Sequence, residues 1–146
     1  MQLDINNDIV KLCAEGMQLE GQGKANEASE LFHRAWETAL TNFEKVIAAH
    51  YVARHQQNTA EKLKWDQKAL TLALKIDNGD TRALMPSLYL NIAKCYEDLK
   101  DNKQAAENYH MGLTFVAIDS ENGYARMIKN GLNAGLIRLS ALAEDR

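Results

Sequence analysis

Four histidines and two cysteines are the side chains of this sequence with the most obvious chemical potential. His50 and His55 lie five residues apart, on different faces of a helix, whereas two metal ligands on one helix need a spacing of three or four. His33 and His110 stand apart from cysteine and from clustered acids. Cys13 and Cys95 show neither a CxxC nor a zinc-ligand spacing, so buried, reduced thiols of a cytoplasmic protein fit them best. Cys13 could be paired with His50 or His55 as nucleophile and base, but its neighbours Leu12, Ala14 and Met17 bring no positive charge to lower a thiol pKa. Glu97, Asp98 and Asp101 cluster where a helical turn needs caps and solvated charge. Gly16, Gly21 and Gly23 form no GxGxxG and follow no strand. These patterns predict no catalytic centre, no metal and no cofactor.

The elements that must carry these residues read as helices. The 146 residues fit one domain, and 46% apolar with 25% charged residues is the balance of an ordinary globule. Proline occurs once, at Pro86, and Ala, Leu, Lys, Glu and Gln dominate, so long helices are favoured almost everywhere. A net charge of −3 argues against nucleic acid as a partner. Met1 to Asp8 lacks the basic-then-apolar order of a signal peptide, and no apolar run reaches the roughly 20 residues of a membrane span. Apolar spacing predicts seven helices. The first is broken by Gly21 and Gly23, and the second ends near Leu40. A capping box at Thr41–Glu44 opens the third, which runs to about Gln57, and Asn58 or Thr59 caps the fourth. Asn78-Gly79-Asp80 is a turn, with Pro86 in the first turn of the fifth helix. Asp101 caps the sixth, which reaches about Ile118, and Ser120 with Glu121 opens the seventh.

The hairpins repeat. Leu12, Gly16, Leu19, Ala28, Phe32 and Ala35 match Tyr89, Ala93, Tyr96, Ala105, Tyr109 and Gly112 in order and spacing. The small residues let paired helices approach closely, and Phe32 and Tyr109 fill the space between hairpins. This pattern resembles the tetratricopeptide repeat (TPR), a helix-turn-helix unit of about 34 residues. The resemblance places units at 9–42 and 86–119, with a degenerate one at 43–76, where His50 replaces a small residue and Asp66 an aromatic. It implies an all-α fold: a TPR-like stack of three helical hairpins in a single domain, an α-α superhelix closed by a C-terminal capping helix over 120–143. The segments 49–56 and 86–91, with Trp65, are also similar to short, uncharacterised bacterial proteins of this repeat class.

In such arrays the first helix of each hairpin lines a concave groove. Carried over position by position, the resemblance makes Tyr51, Arg54 and His55 of the middle unit and Asn91 and Lys94 of the third the groove candidates. Arg and Lys donate to carboxylates, and Asn both donates and accepts, so the set suits a peptide with an acidic or carbonyl-rich segment. Tyr51 and Arg54 could instead be occupied by packing or ordinary surface pairs. Cys13 and Met17 stand where chaperone-binding members carry an asparagine and a lysine, which argues against a chaperone tail as ligand. Trp36 and Trp65 read as core or interface filler. The function expected is a non-catalytic protein- or peptide-binding scaffold. The alternatives are a self-associating homodimer and, more distantly, a small-molecule-binding regulatory domain.

Overall fold

The structure is a computed structural model that describes residues 4–76, 79–116 and 122–144. Of these residues 83% are helical and none forms a strand, so the fold is all-α. The helices are α1 (Asp8–Gly21), α2 (Ala25–Thr38), α3 (Asn42–Ala53), α4 (Thr59–Leu74), α5 (Gly79–Asp98), α6 (Asn102–Thr114) and α7 (Gly123–Glu144).

Short polar side chains set most helix starts by accepting from amides that have no partner within the helix. Asn7 Oδ1 accepts from the amides of Ile9 and Val10, Asn58 Oδ1 from Glu61, and Asp101 Oδ1 from Gln104. The capping box is complete at α3: Thr41 Oγ1 accepts from the Glu44 amide, and Glu44 Oε1 accepts from the Thr41 amide, each at 3.1 Å. Asn7 Nδ2 also donates to Glu44 Oε2, tying the start of α1 to the start of α3.

Three boundaries differ from the sequence expectation. Helix α3 stops at Ala53, with Arg54 as its C-cap, so His55 and Gln57 lie past its end. Helix α5 begins at Gly79, which puts Pro86 inside the helix and not in its first turn. Burial explains this extension: Thr81 and Met85 are 1% and 3% exposed, and covering them offsets the amide hydrogen bond that proline removes. At α7 it is Asn122 that caps, its Oδ1 accepting from the Ala125 amide at 2.7 Å. Ser120, Glu121, Ile118 and Asn78 lie outside the described residues.

The chain divides into two compact units, Met1–Thr81 and Arg82–Arg146. In the first, α1 packs on α2, α2 on α3 and α3 on α4. Its core gathers Ile9, Cys13, Ala28, Phe32, Ala35, Ile47, Ala48 and Val52. Alanines at 48, 49 and 53 of α3 and at 69 and 73 of α4 are buried, and side chains this small let α3 and α4 approach closely. On α4 Asp66 is buried while Leu74 is 58% exposed. The core of the second unit gathers Ala93, Ala105, Tyr109, Ile128, Leu132 and Leu139.

The aromatic positions matched by the repeat, Phe32 and Tyr109, are both fully buried. Each ring needs a glycine opposite it. A Cβ at Gly16 would collide with the Phe32 ring, and one at Gly135 with the Tyr109 ring. The glycine comes from the preceding helix in the first unit and from the following helix in the second.

Candidate functional site

The end of α3 brings Tyr51, Arg54 and His55 together, and the partner that gathers them is α1. The Tyr51 ring stacks on Phe32 at 5.1 Å between centroids, and its hydroxyl lies 3.1 Å from Met17 Sδ. The His55 ring stacks on Phe32 at 5.5 Å, with Nε2 2.9 Å from Glu20 Oε2. Arg54 Nη2 lies 3.2 Å from the same carboxylate oxygen, and its guanidinium sits 5.7 Å from the Tyr51 ring centroid. Glu20 is therefore the hub of the cluster. Its side chain is 18% exposed, whereas that of Arg54 is 46% exposed, so a face of the guanidinium remains open to solvent.

Asn91 and Lys94 lie on α5 in the second unit. Lys94 Nζ pairs with Asp98 Oδ1 at 2.8 Å, one turn along the same helix, with both side chains about half exposed. Such a pair is weak and readily exchanged. Asn91 is half-buried.

A second acid–arginine cluster, absent from the sequence-based candidates, lies within the second unit. Arg138 of α7 donates to Glu97 through Nε to Oε2 and Nη2 to Oε1, both at 2.9 Å. The Tyr109 hydroxyl donates to Glu97 Oε1 at 2.6 Å and accepts from Arg138 Nη2 at 3.3 Å. The guanidinium holds the Glu97 carboxyl down at about 2, while burial and the carboxylate beside it push the Tyr109 phenol up.

Position in the repeat aligns the acids and the rings of the two clusters but not their arginines. Glu97 and Tyr109 each follow Glu20 and Phe32 by 77 residues, and Arg138 follows Arg54 by 84. In each unit a first-helix glutamate meets an arginine that follows the hairpin, and in the second unit the Tyr109 hydroxyl joins them. Helical spacing showed the matching aromatics but not which cation would reach which carboxylate across helices.

The nucleophile candidate is inert. Cys13 is 3% exposed, and burial pushes its thiol up to about 12, so it stays protonated at neutral pH. His50 packs edge-on to Tyr51 at 5.4 Å, and burial with the nearby Arg54 cation lowers its pKa to about 4. It is neutral at pH 7. Among the described residues no three His, Cys, Asp or Glu side chains gather as a metal site, and no helix is long and apolar enough to cross a membrane. What the first-unit cluster can do chemically is present a partly exposed guanidinium, an aromatic ring and an imidazole on one small surface. No family model matches the chain, and no curated protein is significantly similar to it.

Proposed function

We propose that this chain is a non-catalytic, TPR-like scaffold that binds a protein or peptide segment along its first helices. The observation that carries the reading is the cluster at Glu20, where α1 and α3 meet through Tyr51, Arg54 and His55. First helices in side-by-side contact, each hairpin's second helix behind them, are what a concave groove requires. An acid–arginine contact from a first helix to the helix after its hairpin recurs in each unit, with the two arginines 84 residues apart, which supports reading α7 by the register of α3. In that register α7 takes the place of a first helix and acts as the capping helix. Asn130 and Asn133 are exposed at the α7 positions matching Val46 and Ala49, which α3 buries. An end helix facing water needs polar residues there.

The candidate binding residues are Tyr51, Arg54 and His55 in the first unit and Asn91 and Lys94 in the second. Arg54 keeps an open guanidinium face, and Lys94 can exchange Asp98 for a ligand carboxylate at little cost. The matching ligand is an extended segment carrying acidic side chains. Capture from a native cell lysate, with Arg54→Ala/Lys94→Ala as control, tests this. The double variant should bind the captured segment more than tenfold more weakly, about 1.4 kcal/mol, with its melting behaviour nearly unchanged. Undiminished binding by the folded variant rules the surface out.

A homodimer is the second reading. It is favoured by Tyr124, Met127, Ile137 and Leu142, large apolar side chains that α7 leaves exposed. Light scattering across a concentration series separates the two, because the second reading requires a concentration-dependent dimer.

A further inference from the structure

Trp36 of α2 and Trp65 of α4 meet at a right angle, with ring centroids 5.2 Å apart. The Lys68 ammonium lies in the angle between them, 4.3 Å from the Trp65 centroid and 5.3 Å from that of Trp36. His33 packs edge-on to Trp65 at 6.1 Å. Both indoles are half-buried against the core of the first unit, which fixes their planes, while Lys68 is exposed. Among the described residues Lys68 forms no ion pair, so its ammonium is held by ring faces alone.

We propose that Trp36 and Trp65 form an aromatic cage that binds a trimethylammonium group, and that Lys68 is its internal stand-in. Two ring faces converging on one point attract a cation through their quadrupoles, and the effect grows as the cation sheds water. A primary ammonium is compact and strongly hydrated, so Lys68 loses much of what the rings offer. A trimethylammonium spreads the same charge over methyl groups that contact the indoles directly. Lys68 sits on a flexible four-carbon stem and can leave without breaking any other pair. The cage lies on second helices, away from the cluster at Glu20, and is independent of the proposed groove. The same chemistry occurs in a free choline-like solute and in a trimethylated lysine side chain of another protein.

The chain has only two tryptophans, so emission excited selectively from tryptophan reports on this pair. Choline chloride titrated into the wild type and into Lys68→Ala should give a saturable change in both. The variant should bind at least tenfold more tightly, because the internal competitor is gone. The neutral isostere 3,3-dimethylbutan-1-ol should give no saturable change. A trimethyllysine peptide that binds Lys68→Ala more tightly than choline points to a protein source, and equal affinity points to a free solute. A flat choline titration in folded Lys68→Ala, or equal binding of the neutral isostere, overturns the proposal. Lys68→Gln empties the cage in the same way if the alanine variant melts abnormally.

Discussion

Arg138 grips Glu97 with two parallel hydrogen bonds of 2.9 Å, and the buried Tyr109 hydroxyl completes the triangle between them. This geometry satisfies a phenol that the core would otherwise leave without a partner, and a planar guanidinium fork suits it better than an ammonium would. The same relation joins Arg54 to Glu20 in the first unit. There the grip is a single contact of 3.2 Å, and the ring beside the guanidinium is Tyr51.

The Glu97 cluster should therefore make the second unit sensitive to strong acid. Its carboxyl titrates at about 2 in the fold against 4.5 unperturbed. A depressed carboxylate contributes stability that is complete above the unfolded pKa and is lost as pH falls from 4.5 toward 2. Half exposure of Arg138 screens the effect, leaving on the order of 1–2 kcal/mol. Denaturant melts of wild type and Arg138→Met between pH 5 and pH 2 check this. The variant should start lower and change less across that window.

His50 gives a second, separate window. Its folded pKa of about 4 lies below the usual 6.5, so the unfolded chain binds the proton first. The contribution is complete above 6.5 and is lost as pH falls from 6.5 to 4, by about 2–3 kcal/mol. His50→Phe keeps a ring beside Tyr51 and removes the titration. Its stability should fall less steeply than the wild type between pH 7 and pH 4.5. An unchanged slope would mean that His50 is already solvated.

Most of the fold was legible because local rules decided it. Thr41, Asn58 and Asp101 cap where short polar residues precede apolar periodicity, and the capping box at Thr41–Glu44 needs only four residues to be recognised. The start of α5 was not legible: Pro86 and Asn78-Gly79 are strong local punctuation, and only tertiary burial of Thr81 and Met85 overrides it. The structure gathers Tyr51, Arg54 and His55 around Glu20, and no spacing in the sequence shows that these residues meet. Side-chain identity in one helix does not say which residue of another it will meet. Trp36 and Trp65, read as filler, do pack on the core, yet their perpendicular ring faces and the Lys68 ammonium between them depend on the pairing of α2 with α4.

The glycine–ring contacts set up a mutational cycle. Phe32→Ala and Tyr109→Ala should each cost roughly 3–5 kcal/mol, as truncation of a buried aromatic does. Gly16→Ala and Gly135→Ala place a Cβ against those rings and should cost about 1–3 kcal/mol by overpacking. Combining Gly16→Ala with Phe32→Ala should then cost less than the sum, because the methyl enters vacated space. Additive losses in denaturant melts would show that the glycine and the ring do not touch.

The turns of the two repeated hairpins differ by one residue, and the difference has a sign. Gly23 and Lys100 occupy the same place, two residues before α2 and α6 begin, with φ of 79° and 67°. The hydrogen bonds match as well: Lys24 N to Leu19 O at 2.8 Å in one turn, Asp101 N to Tyr96 O at 2.9 Å in the other. A left-handed residue closes both helix ends, and glycine adopts that conformation without a Cβ penalty, whereas lysine pays about 1 kcal/mol. Lys100→Gly should therefore stabilise the chain, by something under about 1 kcal/mol once the freer unfolded backbone is counted. Gly23→Ala should destabilise it by about 1 kcal/mol, although no atom stands within 4 Å of the added methyl. Thermal melts of the two single variants decide the matter. Opposite shifts mean that both turns are left-handed in solution, and a loss in both would mean that the Lys100 side chain contributes more to its turn than its backbone conformation costs.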